Sequence, residues 1–144
     1  MRYVSTRGEA PALGFADVVL AGLARDGGLY VPETYPQLDA ATIAGFDGRP
    51  YAEVAEAVIS PFVGGEIEAT ALSAMIREAY ATFRHPAVTP LVQLDSGKWL
   101  MEMFHGPTLA FKDVAMQLLA RIMDHVLETR DQRATIVGAT SGDT

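Results

Sequence analysis

Two short segments hold the residue types that can do covalent or anion-binding chemistry. They are His105-Gly106-Pro107-Thr108-Leu109-Ala110-Phe111-Lys112-Asp113 and Gly138-Ala139-Thr140-Ser141-Gly142-Asp143-Thr144. Lys112 follows an apolar Leu-Ala-Phe and opens an amphipathic helical stretch. A cation there is opposed twice, by the positive end of the helix dipole and by desolvation. Both effects favour the neutral amine, the form that builds Schiff bases. On the residues alone an alternative stays open: a snorkelling lysine with its charge in water, paired to Asp113. The second segment offers hydroxyls and backbone amides after an apolar run, a common way to hold an anion. It is not a Walker loop, which needs four residues between its glycines and a lysine before the threonine. Here three residues separate Gly138 from Gly142, and Asp143 stands in the lysine's place. A plain polar strand-to-helix turn is the competing reading.

The elements that must position these residues follow from periodicity. Residues 112–129 give the clearest helix, with Ala115, Leu118, Leu119, Ile122 and Val126 on one stripe and Gln117, Arg121, Asp124, His125 and Glu128 facing away. Thr108 or Gly106 is the expected cap. Before it, Leu91-Val92-Gln93-Leu94 and residues 99–104 flank Asp95-Ser96-Gly97-Lys98, a hairpin signal. After it, the β-branched run at 134–139 suits a buried parallel strand.

Residues 84–90 form a proline-rich connector, and the character of the chain changes there. Upstream, residues 3–6 read as a short strand and 15–25 as an amphipathic helix stopped by Asp26-Gly27-Gly28. Residues 29–32 read as extended because a residue before proline disfavours helix. Residues 51–60 and 66–83 give further helices, the first limited by Pro61. The Met and aromatic positions in these stripes are expected to be core. The division is therefore a largely helical region at 1–83 and an α/β region at 84–144.

Composition excludes more than it assigns. A chain of 144 residues can bury a core without staples. With no cysteine there is no disulfide scaffold, thiolate site or cysteine nucleophile. His85, His105 and His125 lack metal-ligand spacing, so no metal is expected. Eleven basic against 18 acidic residues leave a net charge of −7, which repels phosphate backbones, so no nucleic-acid partner is expected. No apolar run approaches the ~20 residues of a membrane span. The start of the chain has no apolar signal core. A soluble, cytoplasmic protein without a membrane partner is the expectation.

Together the two chemical segments, HGPTLAFKD at 105–113 and ATSGDT at 139–144, resemble threonine synthase, a family of fold-type-II pyridoxal-phosphate enzymes. Tyr3-Val4-Ser5-Thr6-Arg7-Gly8 is similar to that family's opening strand, and residues 22–33 are similar to its GLAxDGGLYVPE segment. The resemblance implies an α/β fold in which 84–144 begins a tryptophan-synthase-β-like cofactor domain. It implies that Lys112 carries pyridoxal 5'-phosphate as a Schiff base and then serves as acid and base. It places Asp143 beside the cofactor ring, with Ser141, Gly142 and Thr144 gripping the substrate carboxylate. Aspartate rather than asparagine at 143 is the threonine-synthase form. The implied reaction turns O-phospho-L-homoserine and water into L-threonine and phosphate.

The glycine-rich phosphate loop and the pyridine-nitrogen partner of such enzymes have no counterpart in these residues. The chain is thus expected to be the N-terminal part of a longer enzyme, inactive without the remainder of the parent chain. Two other roles remain: a threonine-synthase-like phospho-lyase with another substrate, and a non-catalytic interaction domain on the same fold.

Overall fold

The computed structural model describes residues 1–139 and contains both helices and strands. By contact density the chain divides into two units, Met1–Arg49 with Glu53–Ser73 and Pro50–Ala52 with Ala74–Thr144.

In the first unit β1 (Arg2–Ser5) is the middle strand of an antiparallel sheet, between β2 (Leu13–Gly14) and β3 (Tyr30–Pro32). Tyr3 pairs with Leu13 on one side and Pro32 on the other. Its ring is buried and its hydroxyl donates to the Phe62 carbonyl at 2.8 Å. The strands at 3–6 and 29–32 were legible, whereas two-residue β2 is too short for any alternation to show.

Helix α1 (Phe15–Ala21) stops four residues before the expected end at 25, because Gly22 leaves the helix with φ of +67°. The Asp26-Gly27-Gly28 segment does not stop a helix; it forms a turn around the Asp26 carboxylate. Ser5 Oγ and the Gly28 N–H donate to one oxygen at 2.8 and 2.9 Å. The Glu9 and Ala10 N–H groups donate to the other at 3.1 and 2.9 Å. Burial opposes ionisation of Asp26, but these four donors outweigh it and bring its pKa to about 2. The start of α1 is satisfied from far away in sequence: Phe15 and Ala16 N–H donate to the two Glu66 carboxyl oxygens at 2.7 and 3.1 Å.

The short α2 (Ala40–Ala44) is capped by Asp39, whose side chain accepts from the Thr42 N–H. Helix α3 (Tyr51–Val63) runs past Pro61 instead of ending before it. Proline in the last turn loses only one backbone bond. Helix α4 (Ala69–Ala81) begins three residues later than the periodicity implies. Gly64 and Gly65 hold positive φ, and Glu66 is engaged on α1. Leu72, Met75, Ile76 and Ala79 form the buried stripe expected of α4.

The second unit contains a hairpin of β4 (Leu91–Asp95) and β5 (Lys98–Met101), and α5 (Asp113–Thr129). Strand β5 ends before the expected 104, one residue short of the Glu102 N–H that donates to the Pro90 carbonyl. In the connector, Val88 is buried at a φ of +58°, unusual for a β-branched residue. On α5, Leu118, Ile122 and Val126 are buried as expected, while Ala115 of the predicted stripe is exposed.

The expected parallel strand at 134–139 is not a strand. Ile136 and Val137 are 81% and 92% exposed. A strand exists only through its ladder, and no described residue pairs with this run.

Candidate active site

The lysine-bearing loop lies wholly in the second unit. Lys112 is the N-cap residue of α5, with helical φ and ψ of −62° and −22° and no side-chain cap of its own. The turn before it is narrow. The Leu109 N–H donates to the Gly106 carbonyl at 3.2 Å, and Leu109 takes a φ of +64°. The Asp113 N–H then donates to the Ala110 carbonyl at 3.1 Å, leading the chain into the helix. A leucine in the left-handed region is strained by roughly 1–2 kcal/mol, so the surroundings must hold it.

Asp113 does the holding. Its side chain is 3% exposed. Oδ2 accepts from the Thr108 N–H at 2.8 Å and from Thr108 Oγ1 at 3.0 Å, while Oδ1 accepts from Gln117 Nε2 at 3.4 Å. The expected roles are thus reversed. Neither Thr108 nor Gly106 caps α5; a residue of α5 caps the turn at Thr108. Gly106 must be small, because a Cβ there would collide with the Asp113 side chain. The Asp113 oxygens thus face Thr108 and Gln117. Lys112 itself is half-buried, with Nζ 5.1 Å from the centroid of the exposed Phe111 ring.

The entry to the loop is fixed from the other side. His105 Nε2 lies 2.8 Å from Glu102 Oε2, and the His105 carbonyl accepts from the Arg84 N–H at 2.9 Å. The His105 ring stacks on Phe104 at 4.7 Å and lies 5.2 Å from His85. From α4, Tyr80 donates its hydroxyl to the Val114 carbonyl at 3.3 Å. Burial, and secondly the neighbouring Tyr51, raise the Tyr80 pKa to about 12, so this donor stays protonated.

The arrangement presents one primary amine, at a helix start, on a backbone held from both ends. That donor fits the covalent half of a pyridoxal-phosphate site. Ser141, Gly142, Asp143 and Thr144 lie outside the described residues. Sequence reasoning placed Lys112 at the start of this helix, where the structure has it, but missed Gly106, Thr108 and Asp113 as one unit. The five-residue spacing of Thr108 and Asp113 around the lysine was the available signal.

The class so defined is an α/β protein with a lysine at the start of a helix, behind a turn clamped by a buried aspartate. The family model "Threonine synthase N terminus" matches residues 2–80. The threonine synthase of Pseudomonas aeruginosa is 57% identical over all of this chain, which spans 31% of that relative's length. The threonine synthase of Schizosaccharomyces pombe is 43% identical over 99% of this chain and 29% of its own. Among solved structures, that of the pyridoxal-phosphate-bound threonine synthase from Brucella melitensis covers 99% of this chain at 67% identity with a TM-score of 0.97; this chain spans 31% of it. The chain belongs to the threonine synthase family, and its matched portion is the family's N terminus.

Proposed function

We propose that these residues serve a threonine synthase that converts O-phospho-L-homoserine and water to L-threonine and phosphate in the cytoplasm, with Lys112 as its catalytic lysine. One observation carries the proposal: Lys112 stands at the start of α5 on a loop clamped by Asp113, in a chain similar over nearly its whole length to a cofactor-bound threonine synthase. Lys112 would hold pyridoxal 5'-phosphate, which when bound supplies an electron sink for a carbanion. Released from that link, the Lys112 amine would move protons at the substrate's α and β carbons. Ser141, Gly142 and Thr144 would bind the substrate carboxylate through amides and hydroxyls, with Asp143 next to the cofactor ring. Groups for the cofactor phosphate and pyridine nitrogen belong to the remainder of the parent chain.

The test is to incubate the full-length protein carrying these residues with O-phospho-L-homoserine and to measure threonine and phosphate. Both products, with loss of the yellow imine absorbance in Lys112→Ala, support the proposal. Phosphate without threonine replaces it with a phospho-lyase acting on that substrate. Neither product overturns the reaction, and imine absorbance surviving in Lys112→Ala overturns the lysine.

A further inference from the structure

We propose that Asp113 is a positioning residue for the Lys112 amine: it locks the 106–109 turn onto the first turn of α5 and so sets where Nζ points. The inference rests on Lys112 being the reactive amine.

Three observations converge. Asp113 is a buried polar side chain whose accepting oxygens are spent locally, on Thr108 and Gln117, rather than on a distant element. Those bonds straddle Lys112, joining the residue four before it to residues one and five after it. The turn they close contains Leu109 at positive φ, a conformation that relaxes when its restraint is lost. Gly106 completes the seat, because only a residue without Cβ lets the Asp113 side chain lie against the turn. Without the clamp, the backbone from 106 to 111 can return to ordinary dihedrals. The Lys112 Cα–Cβ bond then swings with it, and a displacement near 1 Å at a reacting group costs up to about 100-fold in rate.

The role differs from simple stabilisation. Asp113 is buried and turned onto Thr108 and Gln117, so a positioning role predicts that its loss acts on the chemical step and leaves the Michaelis constant alone. Proton transfer by the amine depends on its position, and so does the imine it forms.

The experiment uses the full-length holoenzyme and four variants. Asp113→Ala removes the clamp. Asp113→Asn keeps an accepting oxygen for Thr108. Thr108→Val removes the hydroxyl donor at constant volume, and Thr108→Ser restores it. Activities are expressed per folded, cofactor-loaded molecule, counted by borohydride trapping of the imine. Asp113→Ala is expected to lower kcat roughly 10- to 100-fold with KM within twofold, and to move the pH midpoint of the imine absorbance. Thr108→Val should lower kcat about fivefold, for loss of one hydrogen bond, with Thr108→Ser keeping most of the wild-type rate, as Asp113→Asn should in contrast to Asp113→Ala. If Asp113→Ala does not fold, Thr108→Val against Thr108→Ser decides alone. The proposal is overturned if the folded variants lose only thermal stability while kcat, KM and the imine midpoint stay at wild-type values. Lys112→Ala, run alongside, separates the two levels. Persistent imine absorbance there removes the lysine assignment on which this proposal stands, whereas its loss beside unchanged Asp113 and Thr108 variants removes the positioning role only.

Discussion

In the first unit, Asp26 gathers the Ser5 hydroxyl and three backbone N–H groups from two stretches of chain, 5–10 and 26–28. In the second, Asp113 draws on Thr108 and Gln117, all within ten residues of chain. Each aspartate lies against a glycine, Gly28 in one case and Gly106 in the other. The same device therefore works at two ranges. The Asp26 cluster ties strand β1 to the turn before β3 and so maintains a fold. The Asp113 cluster ties a turn to the helix that follows, across the lysine between them. A carboxylate with scattered donors joins distant stretches of chain, whereas one whose donors bracket a lysine fixes the backbone on either side of it.

The sharpest way to break this comparison is at the two glycines. In Gly106→Ala the new methyl meets the Cβ, Cγ and Oδ2 of Asp113, atoms too close to the helix backbone to move aside. A loss near 3 kcal/mol in urea unfolding is expected. In Gly28→Ala the nearest atom is the Ser5 hydroxyl, which can rotate away at the expense of its bond to Asp26. About 1 kcal/mol is expected there. Equal losses from the two would show that the seats are equivalent.

The pH limits sharpen the contrast. Asp26 is depressed from 3.8 to about 2, so its contribution is complete above pH 3.8 and disappears as the pH falls through 2. Tyr80 is raised from 10.0 to about 12, so its contribution is complete below pH 10 and is lost as the pH climbs through 12. Acid unfolding should thus be read first in the sheet and alkaline unfolding in the α4–α5 contact. Residue-resolved nuclear magnetic resonance across both titrations measures this, and the opposite order would contradict it. The smallest change is Leu109→Gly. Relief of roughly 1 kcal/mol of left-handed strain offsets the similar entropic cost of glycine, leaving thermal stability within about 0.5 kcal/mol of the parent.

What was legible in the sequence follows the range of the forces involved. Helix α5, the hairpin and the strands at β1 and β3 are set by local period and turn residues, and they appear close to where 112–129, 91–104, 3–6 and 29–32 were read, with β5 ending three residues early. The place of Lys112 at the start of α5 was legible because the motif around it is contiguous. The end of α1 was missed because apolar spacing continued to Leu23 while Gly22 broke the backbone. The late start of α4 was missed because Glu66 is recruited by amides fifty residues away. Asp113 was read as a neutralising neighbour of Lys112; only the geometry of the positive-φ turn shows that it faces Thr108. At 134–139 the apolar run promised a strand, but composition cannot supply a ladder partner.

Neither strand of the β4–β5 hairpin contains a buried residue. An isolated two-stranded hairpin is marginal in water. Its amides therefore form the fast end of a hydrogen-exchange clock, with the buried turns of α5 at the slow end. Any protein surface that comes to rest on Trp99 and its neighbours would slow the clock at residues 91–101 alone. Deuterium uptake at this one hairpin is thus a built-in gauge of contact, and it reads without any attached probe or substrate.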